Sequence, residues 1–220
     1  MIYFMPICEA DQMEEQYQVW LPHLPPVRRE KLLRYRFVKD RWLCATAYML
    51  LLHTLQHEYG INENQVRMEV EKNGKPYLAS HPYIFFNLSH CDSGVVCGIS
   101  SNPIGVDIEV IRDIDSRVTK RVCNTAEQNI LAHAGNPAYT FTSMWTLKES
   151  YLKAIGCGLS SCSLTNISVS MSTDRDLYIS QNGYDAYVLD HQCPCCISIC
   201  EKTEAPIQNL LHKVKPEMFA

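Results

Sequence analysis

This chain of 220 residues has no apolar run long enough to cross a bilayer and no basic, apolar leader at its start. It also lacks low-complexity segments, Gly/Ser-rich linkers and visible sequence repeats. Its formal net charge of −4 gives it no general affinity for polyanions such as nucleic acid. We therefore expect a cytoplasmic protein that acts neither in a membrane nor on nucleic acid, with ample apolar residues for a core.

Cysteine, in contrast, is plentiful, with eleven residues. An odd number at scattered positions does not match the disulfide framework of a small secreted domain. Cysteines concentrate between His191 and Cys200, where a zinc site is one alternative. That segment lacks paired Cys-x-x-Cys knuckles, and alternate residues of a strand point apart. We favour a Cys-rich strand in a reducing compartment.

Residues 103–110, Pro-Ile-Gly-Val-Asp-Ile-Glu-Val, carry two acids in an alternating pattern. The period of two predicts a strand with one buried face, and it places Asp107 and Glu109 on the same side, roughly 7 Å apart. Two carboxylates held this close repel each other unless a cation lies between them. The pattern indicates a site for a hard divalent metal, although a solvated strand edge would have the same sequence.

A second segment, 38 residues beyond Asp107, predicts an amphipathic helix, because apolar residues recur at helical spacing from Phe141 to Ile155. Glu149 and Lys153 lie one turn apart at the edge of its apolar stripe. Residues at that edge face a crevice while the helix stays anchored. The alternative is an ordinary surface ion pair, worth only tenths of a kcal/mol.

Five motifs in order resemble those of the 4′-phosphopantetheinyl transferases, most closely the surfactin-type branch, which carries both catalytic lobes in one chain. The resemblance spans roughly residues 25–165. The motifs are Arg28-Arg-Glu-Lys31, Asn73-Gly-Lys-Pro-Tyr77, Phe86-Asn-Leu-Ser-His90, Gly105-Val-Asp-Ile-Glu109 and Trp145-x-x-Lys148-Glu149-Ser150-x-x-Lys153-Ala154.

The resemblance implies an α+β fold of two pseudo-symmetric lobes, each a small, largely antiparallel sheet packed with helices. The active site would lie in the cleft between them. We expect an N-terminal lobe at 1–102, with the coenzyme A phosphate and adenosine contacts, and a C-terminal lobe at 103–220, with the metal site and catalytic helix. Because one chain supplies both lobes, we expect a monomer.

The coarse element order, taken from periodicity and turn residues, repeats between the two halves. Gly156 and Gly158 are expected to end the longest helix of the second half. Strands are predicted near 2–7, 66–71, 83–89, 94–100, 104–110, 165–171, 176–180, 184–190 and 195–201, and helices near 11–20, 26–36, 39–58, 115–122, 125–133 and 138–155.

The first half also contains a concentrated basic segment, residues 28–41, with seven Lys or Arg against two acids. Such a patch suits a compact polyanion, and a solvated basic helix is the alternative. By resemblance, the coenzyme A phosphates and adenosine would be held by residues of both lobes, with Arg41 as a further phosphate contact. These residues are Arg28, Lys31, Asn73, Gly74, Lys75, Ser89, His90 and Lys153.

By the same resemblance, Mg²⁺ would be bound by Asp107, Glu109 and Glu149, and catalysis would rest on Glu149, Lys153 and Asp107. The reaction would move 4′-phosphopantetheine from coenzyme A to a serine of an apo acyl or peptidyl carrier protein, releasing 3′,5′-ADP, as in a holo-[acyl-carrier-protein] synthase. Glu149 or a metal-bound water would be the base, and Lys148 would add at best a supporting phosphate contact. Non-catalytic binding of coenzyme A or a nucleotide, and metal-dependent phosphohydrolysis, are alternatives.

A basic, partly apolar segment follows the two acids. Residues 112–123 contain Arg117, Lys120 and Arg121 beside apolar side chains. The segment would suit the acidic helix of a carrier protein. An ordinary amphipathic helix packed on its own lobe is equally compatible.

Overall fold

The structure, a computed structural model, describes residues 1–7, 13–158, 162–174, 176–189, 194–202 and 211–214. The elements within these residues come in runs of helices and runs of strands, as in an α+β protein. The strands are β1 (Ile2–Pro6), β2 (Met68–Val70), β3 (Pro76–Leu78), β4 (Phe85–Cys91), β5 (Gly94–Ser100), β6 (Ile104–Val110), β7 (Ser170–Met171), β8 (Leu177–Gln181), β9 (Tyr184–Leu189), β10 (Cys195–Lys202) and β11 (Leu211–Lys213). The α-helices are α1 (Met13–Trp20), α2 (Pro26–Leu33), α3 (Val38–Tyr59), α4 (Ser116–Val122), α5 (Thr125–Ala132) and α6 (Pro137–Ile155).

The first sheet has the order β11-β1-β5-β4 and packs against α3. Its pairs are antiparallel except β1 with β11, which is parallel. Helix α3 is buried over most of its circumference, from Trp42 to Leu55, which explains its apolar sequence. It ends at Gly60, whose positive φ of 66° is a backbone conformation that glycine adopts without steric cost. The two-stranded sheet of β2 and β3 is separate.

The second sheet has the order β6-β10-β9-β8-β7, and all its pairs are antiparallel. Helix α6 packs on it through a core that includes Met144, Leu147 and Tyr151. The helix begins at Pro137 after the capping side chain of Asn136 and ends at Gly156, where φ is 74°. The prediction that Gly156 ends this helix is therefore confirmed.

A third apolar cluster joins the two sheets. Side chains of β1 and β5, such as Phe4 and Val96, pack with side chains of β6 and β10, such as Val106 and Ile197. Gly98 on β5 permits this approach, because a Cβ there would lie 2.6 Å from Val106 Cγ1. The fold therefore positions the edge strand β6 against both halves of the chain.

The predicted fold class, α+β with largely antiparallel sheets packed against helices, is confirmed. The strand predicted over 165–171 is wrong for most of its length. Residues Leu164–Asn166 form a 3₁₀ turn, and only Ser170–Met171 pair as strand. Strands β3 and β11 are short and were not predicted. Within the described residues, no helix combines the length and the apolarity that a bilayer crossing requires.

Candidate active site

The close approach of α6 to β6 depends on Gly105. A Cβ at this position would overlap the carbonyl oxygen of Ser150 and the backbone nitrogen of Ala154. Asp107 follows two residues later on the same face of the strand, so it also faces α6. Glu149 and Lys153, each beside one of the residues that contact Gly105, are thereby placed next to Asp107. This glycine is the sequence feature that assembles the carboxylates and the lysine.

Lys153, Asp107 and Ser89 form a hydrogen-bonded group at this contact. The Lys153 ammonium donates to Asp107 Oδ1 at 2.6 Å, to Ser89 Oγ at 2.9 Å and to the Val106 carbonyl at 3.2 Å. Ser89 Oγ donates to the same Asp107 oxygen at 2.8 Å. Because Ser89 belongs to β4 of the first sheet, the group joins side chains from both halves of the chain.

Glu149 has an unsatisfied carboxylate oxygen. Its Oε1 atom is buried and has no hydrogen-bond partner among the described residues. Burial, with a smaller contribution from the Asp107 carboxylate and against the opposing effect of Lys153, raises the pKa of Glu149 to about 7. A carboxylate pair with a buried oxygen that lacks a partner among the described residues is chemically suited to a hard divalent cation, which prefers oxygen ligands.

The third expected ligand, Glu109, lies apart from this pair. Its Oε1 atom accepts a hydrogen bond from Arg112 at 2.6 Å and another from the backbone N–H of Val110 at 3.0 Å. Across the part of the chain that the structure describes, no three His, Cys, Asp or Glu side chains are grouped to hold a metal ion. The structure thus brings Asp107 and Glu149 together, while Glu109 is held by Arg112.

Cationic side chains gather on the other side of Lys153. Arg28 is buried. Its Nη1 atom donates to Cys44 Sγ at 3.8 Å, while Nε and Nη2 lack partners among the described residues. Desolvation, then Arg28, and more weakly Lys153, lower the pKa of Lys31. Burial, followed by the charges of Lys31 and Lys153, lowers the pKa of His90 to about 4.

We call Arg28, Lys31, Lys153 and His90 the cationic cluster; His90, whose pKa is about 4, is its neutral member at pH 7. The charges of Arg28 and Lys153 disfavour the charged forms of Lys31 and His90, and Nε and Nη2 of Arg28 have no acceptor among the described residues. Concentrated positive charge that is short of acceptors is suited to an anion with several oxygens. The cluster combines α2, β4 and α6, which are distant in sequence.

Asn73, Gly74 and Lys75 lie at the end of α6 and not in the cationic cluster. The Lys75 ammonium donates to the carbonyls of Lys153 and Ala154 at 2.6 and 3.0 Å, and Asn73 Nδ2 donates to the Gly156 carbonyl at 3.0 Å. Gly74 has a φ of 89°, which allows the tight β2–β3 turn. In this structure the turn caps the C-terminus of α6.

Two further basic residues have structural partners. Lys148 is fully buried in an ion pair with Glu127, so the supporting phosphate contact expected for it is wrong. Arg41 Nε donates to the Tyr35 carbonyl at 3.0 Å.

The zinc alternative involves His191 and Cys193, which lie outside the described residues. Cys195, Cys196 and Cys200 of the same segment are buried on β10.

Sequence reasoning missed Asn87 and Arg112. Asn87 is buried, and its Oδ1 atom accepts the backbone N–H of Val106 at 2.9 Å, which fixes β4 beside β6. Its place within Phe86-Asn-Leu-Ser-His90 was the available signal. The spacing of three residues between Glu109 and Arg112 offered only a weak hint of their pairing. A cavity of about 1080 Å³ contains none of the predicted site residues and is lined by α5, α6, strands β7–β9 and Leu211 of β11.

Comparisons with known proteins point to the same family along most of the chain. Residues 103–206 match the model of the 4′-phosphopantetheinyl transferase superfamily, and residues 11–102 match that of the N-terminal region of a 4′-phosphopantetheinyl transferase. The 4′-phosphopantetheinyl transferase Sfp of Bacillus subtilis (strain 168) is 28% identical over 190 residues, 86% of this chain and 81% of the relative. The 4′-phosphopantetheinyl transferase psf-1 of Bacillus pumilus is 30% identical over 187 residues, 83% and 76% of the two chains.

Among solved structures, the holo-[acyl-carrier-protein] synthase of Neisseria meningitidis aligns with 45% of this chain and 95% of its own. The sequence identity is 16% and the TM-score 0.39, which is too low to carry an argument.

Proposed function

This chain belongs to the 4′-phosphopantetheinyl transferase superfamily, and on that premise we propose that it moves 4′-phosphopantetheine from coenzyme A to a serine of an apo carrier protein. The observation that carries the proposal is the position of Lys153, which belongs to the cationic cluster and also bonds Asp107 beside the partnerless oxygen of Glu149. Phosphoryl transfer needs this juxtaposition of anion-binding and carboxylate groups.

The cationic cluster is the proposed binding site for the coenzyme A phosphates. Arg28 contributes two nitrogen atoms, Nε and Nη2, that have no partner among the described residues, and its fork geometry suits phosphate oxygens. A bound phosphate would supply the acceptors that the cluster lacks. We also propose that Asn73, Gly74 and Lys75 contact the nucleotide. In this structure the side chains of Asn73 and Lys75 instead donate to carbonyls at the end of α6.

Asp107 and Glu149 are the proposed ligands of Mg²⁺, with Glu109 as a third once it leaves Arg112. When bound, Mg²⁺ would supply positive charge to the phosphate oxygens of the substrate. In the metal-free site the pKa of the Glu149 carboxylate is raised to about 7, and a bound Mg²⁺ would favour its ionised form, which is the form that can accept a proton. We propose that it accepts the proton of the carrier serine as the serine oxygen bonds to phosphorus.

The leaving group in this proposal is 3′,5′-ADP, released when its bond to the transferred phosphorus breaks. Negative charge then grows on the departing phosphate oxygen. The Lys153 ammonium is the residue placed to neutralise it, since it belongs to both the cationic cluster and the carboxylate group. A chain with these groups needs no protein nucleophile.

The carrier class and the organisation of the chain are part of the same proposal. The relatives bearing the names Sfp and psf-1 favour a surfactin-type transferase over the holo-[acyl-carrier-protein] synthase subtype expected from the sequence. We propose lobes at 1–102 and 103–220, with β11 of the second returning to pair with β1 of the first. We also propose a cytoplasmic monomer, because the described site draws on one chain.

Helix α4 is the proposed docking surface for the carrier. Val118 is 41% exposed, and Lys120 and Arg121 lie in its last turn, while Val122 is buried against the chain itself. Charge reversal at Lys120 and Arg121 is expected to raise the KM for the carrier several-fold and to leave coenzyme A affinity unchanged. Unchanged carrier kinetics would remove α4 from the proposal.

The test of the proposed reaction is the intact mass of an apo carrier protein incubated with this chain, coenzyme A and Mg²⁺. We expect a gain of one phosphopantetheine group that EDTA and Asp107→Ala both abolish. Release of phosphopantetheine to water without transfer would indicate a phosphohydrolase. Coenzyme A binding with no product from several carriers would indicate a binding protein, and either result would contradict the proposal.

A further inference from the structure

Two cysteines that the proposed chemistry does not use lie next to the site. Cys91 is the last residue of β4 and follows His90 directly, while Cys195 is the first residue of β10. Both belong to the apolar cluster between the two sheets, although they are more than a hundred residues apart in sequence. Cys91 is 9% exposed and Cys195 is 1% exposed, so only a small reagent can reach them.

The strand register explains why these two cysteines meet. Asn87 bonds the backbone of Val106 and Ser89 bonds Asp107, so contacts advance along β4 and β6 in the same direction. Cys91 is therefore brought towards the Val110 end of β6. In the ladder between β6 and β10, Val110 pairs with Cys195. The two thiols form a side-chain hydrogen bond at this convergence of three strands.

The surroundings of Cys91 favour its thiolate. The backbone N–H of Ser93 donates to Cys91 Sγ at 3.4 Å within the β4–β5 turn. The Cys195 contact, helped by the Ser93 and Gly94 amides and opposed by burial and by the Glu109 carboxylate, lowers the pKa of Cys91. Burial instead raises the pKa of Cys97 to about 12 and that of Cys196 to about 11. Because the thiolate is the reactive form, Cys91 differs from these two buried cysteines.

We propose that Cys91 and Cys195 are a reversible thiol–disulfide pair, oxidised by a peroxide, that links β4 to β10 beside the active site. The Cys91 thiol gives up its proton, and the thiolate attacks one oxygen of hydrogen peroxide as the O–O bond breaks. A sulfenic acid forms, and the released hydroxide takes up that proton and leaves as water. Cys195 sulfur then bonds to Cys91 sulfur as the S–O bond breaks and a second water leaves. Two thiols lose two electrons and two protons, and the peroxide is reduced to water.

The disulfide would constrain residues of the site, because it would tie the end of β4 covalently to the start of β10. Ser89 and His90 immediately precede Cys91, and Ser89 bonds Asp107 and Lys153. Oxidation is therefore expected to lower turnover. This last consequence rests on the proposed function, whereas formation of the disulfide does not.

The test is a non-reducing peptide map of the full chain after treatment with hydrogen peroxide and alkylation of the remaining thiols. We expect a linked peptide whose fragments place the bond between Cys91 and Cys195. It should be absent from Cys91→Ser and from Cys195→Ser. Cys196→Ser is the matched control, because Cys196 is the next residue on β10 and contacts Ser143 of α6 instead, at 3.5 Å. This variant should retain the link.

Phosphopantetheinylation of a carrier by the oxidised chain is expected to fall by about tenfold or more and to recover with dithiothreitol, because small displacements of catalytic groups are costly. Cys91→Ser should keep its activity in peroxide. A map with no Cys91–Cys195 link, or with oxidation confined to exposed Cys157, would overturn the pair. A linked protein of undiminished activity would overturn the switch. If the reduced chain modifies no carrier, the proposed function fails, and the map still decides the disulfide.

Discussion

Helix α6 carries two lysines whose ion pairs have the same length and very different surroundings. Lys148 bonds Glu127 and Lys153 bonds Asp107, each at 2.6 Å. We call Lys148 and Glu127 the closed pair, and Lys153, Asp107, Ser89 and Glu149 the open group. Five residues separate the lysines, so they leave the helix in different directions, one into the core and one towards β6.

The closed pair has no unused polar atom. The Lys148 ammonium donates to Glu127 and to the carbonyls of Val122 and Leu164, at distances of 2.6 to 2.9 Å. Both Glu127 oxygens also accept backbone N–H groups, from Asn124 and Val169. Both side chains are fully buried. These hydrogen bonds stabilise the packing of α5 and α6, and they leave no donor or acceptor of the closed pair free to bind a ligand.

The open group is incompletely satisfied. Lys153 is 28% exposed, and neither Glu149 Oε1 nor the Nε and Nη2 atoms of nearby Arg28 have a partner among the described residues. Buried polar atoms without partners are costly and are retained where they serve a ligand. The comparison teaches that two lysines of one motif have different roles. Lys148, whose neighbours have all their hydrogen bonds, stabilises the fold, whereas Lys153, whose neighbours lack some, is available for chemistry.

Removing Lys148 should produce the largest effect on stability. Lys148→Ala leaves the Glu127 carboxylate buried without its cation, and we expect the free energy of unfolding to fall by about 3–5 kcal/mol. Urea denaturation followed by circular dichroism measures this. The double variant Lys148→Met with Glu127→Gln removes both charges and should recover much of the loss. A cost near that of a surface ion pair would contradict the description of a closed pair.

Removing Lys153 should act on turnover instead. Lys153→Ala is expected to lower kcat for carrier modification by about 10²–10³-fold, because a preorganised charge at the leaving phosphate is lost. Its unfolding free energy should change far less than that of Lys148→Ala. Lys153→Arg, which keeps the charge, is the control and should retain part of the activity. A kcat within a few-fold of the unaltered chain would exclude Lys153 from the chemistry.

His90, which belongs with Lys153 to the cationic cluster, should make stability depend on pH. Its pKa falls from 6.5 to about 4 in the folded chain, so between these values the unfolded state binds more protons. The contribution of His90 therefore lowers stability as pH falls through this window, by about 2 kcal/mol between pH 7 and pH 5, whereas the raised pKa of Glu149 acts in the opposite direction. Unfolding of the unaltered chain and of His90→Gln at both pH values measures the difference. Identical pH dependence in the two proteins would contradict it.

The smallest effect is expected at Arg112, which holds Glu109 away from the open group. Arg112→Ala loses an exposed ion pair and should change stability by less than about 1 kcal/mol. If Glu109 becomes a metal ligand, the Mg²⁺ concentration for half-maximal activity should fall a few-fold. Arg117→Ala is the matched control, because Arg117 pairs with Asp115 on the surface instead. Equal Mg²⁺ dependence in both variants would contradict the role of Glu109.

Much of the fold followed from periodicity. Strands β1, β4, β5, β6, β8, β9 and β10 and all six α-helices lie where alternation or helical spacing predicts them, within a few residues. The failures are short segments. Strand β3, Pro76–Leu78, is held by its pairing with β2, and β11 by its pairing with β1. Three residues are too few to show an alternating hydrophobic pattern. Whether such a strand forms is decided by its pairing partner, which the sequence does not reveal.

The different surroundings of Lys148 and Lys153 were partly predictable from the sequence. Helical spacing places Lys148 on the apolar side of α6 and Lys153 at the edge of that side. The partner of Lys148 was not apparent, although Asn124 and Glu127 have the spacing of a capping box, which the structure contains. A capping box predicts a helix start, and it gives no sign that its glutamate is buried.

The sequence by itself determined which residue types were available, the elements on which they lie and, through five ordered motifs, the family. Only the tertiary structure decided that Glu109 faces Arg112, that the Asn73–Lys75 turn caps α6, and that Cys91 meets Cys195. The physical reason is that periodicity records which face of an element is buried, since burial is a property of each residue. Which charged or polar group meets another depends on the register between elements, and that is fixed by distant contacts such as Gly105 against α6 and Asn87 against β6.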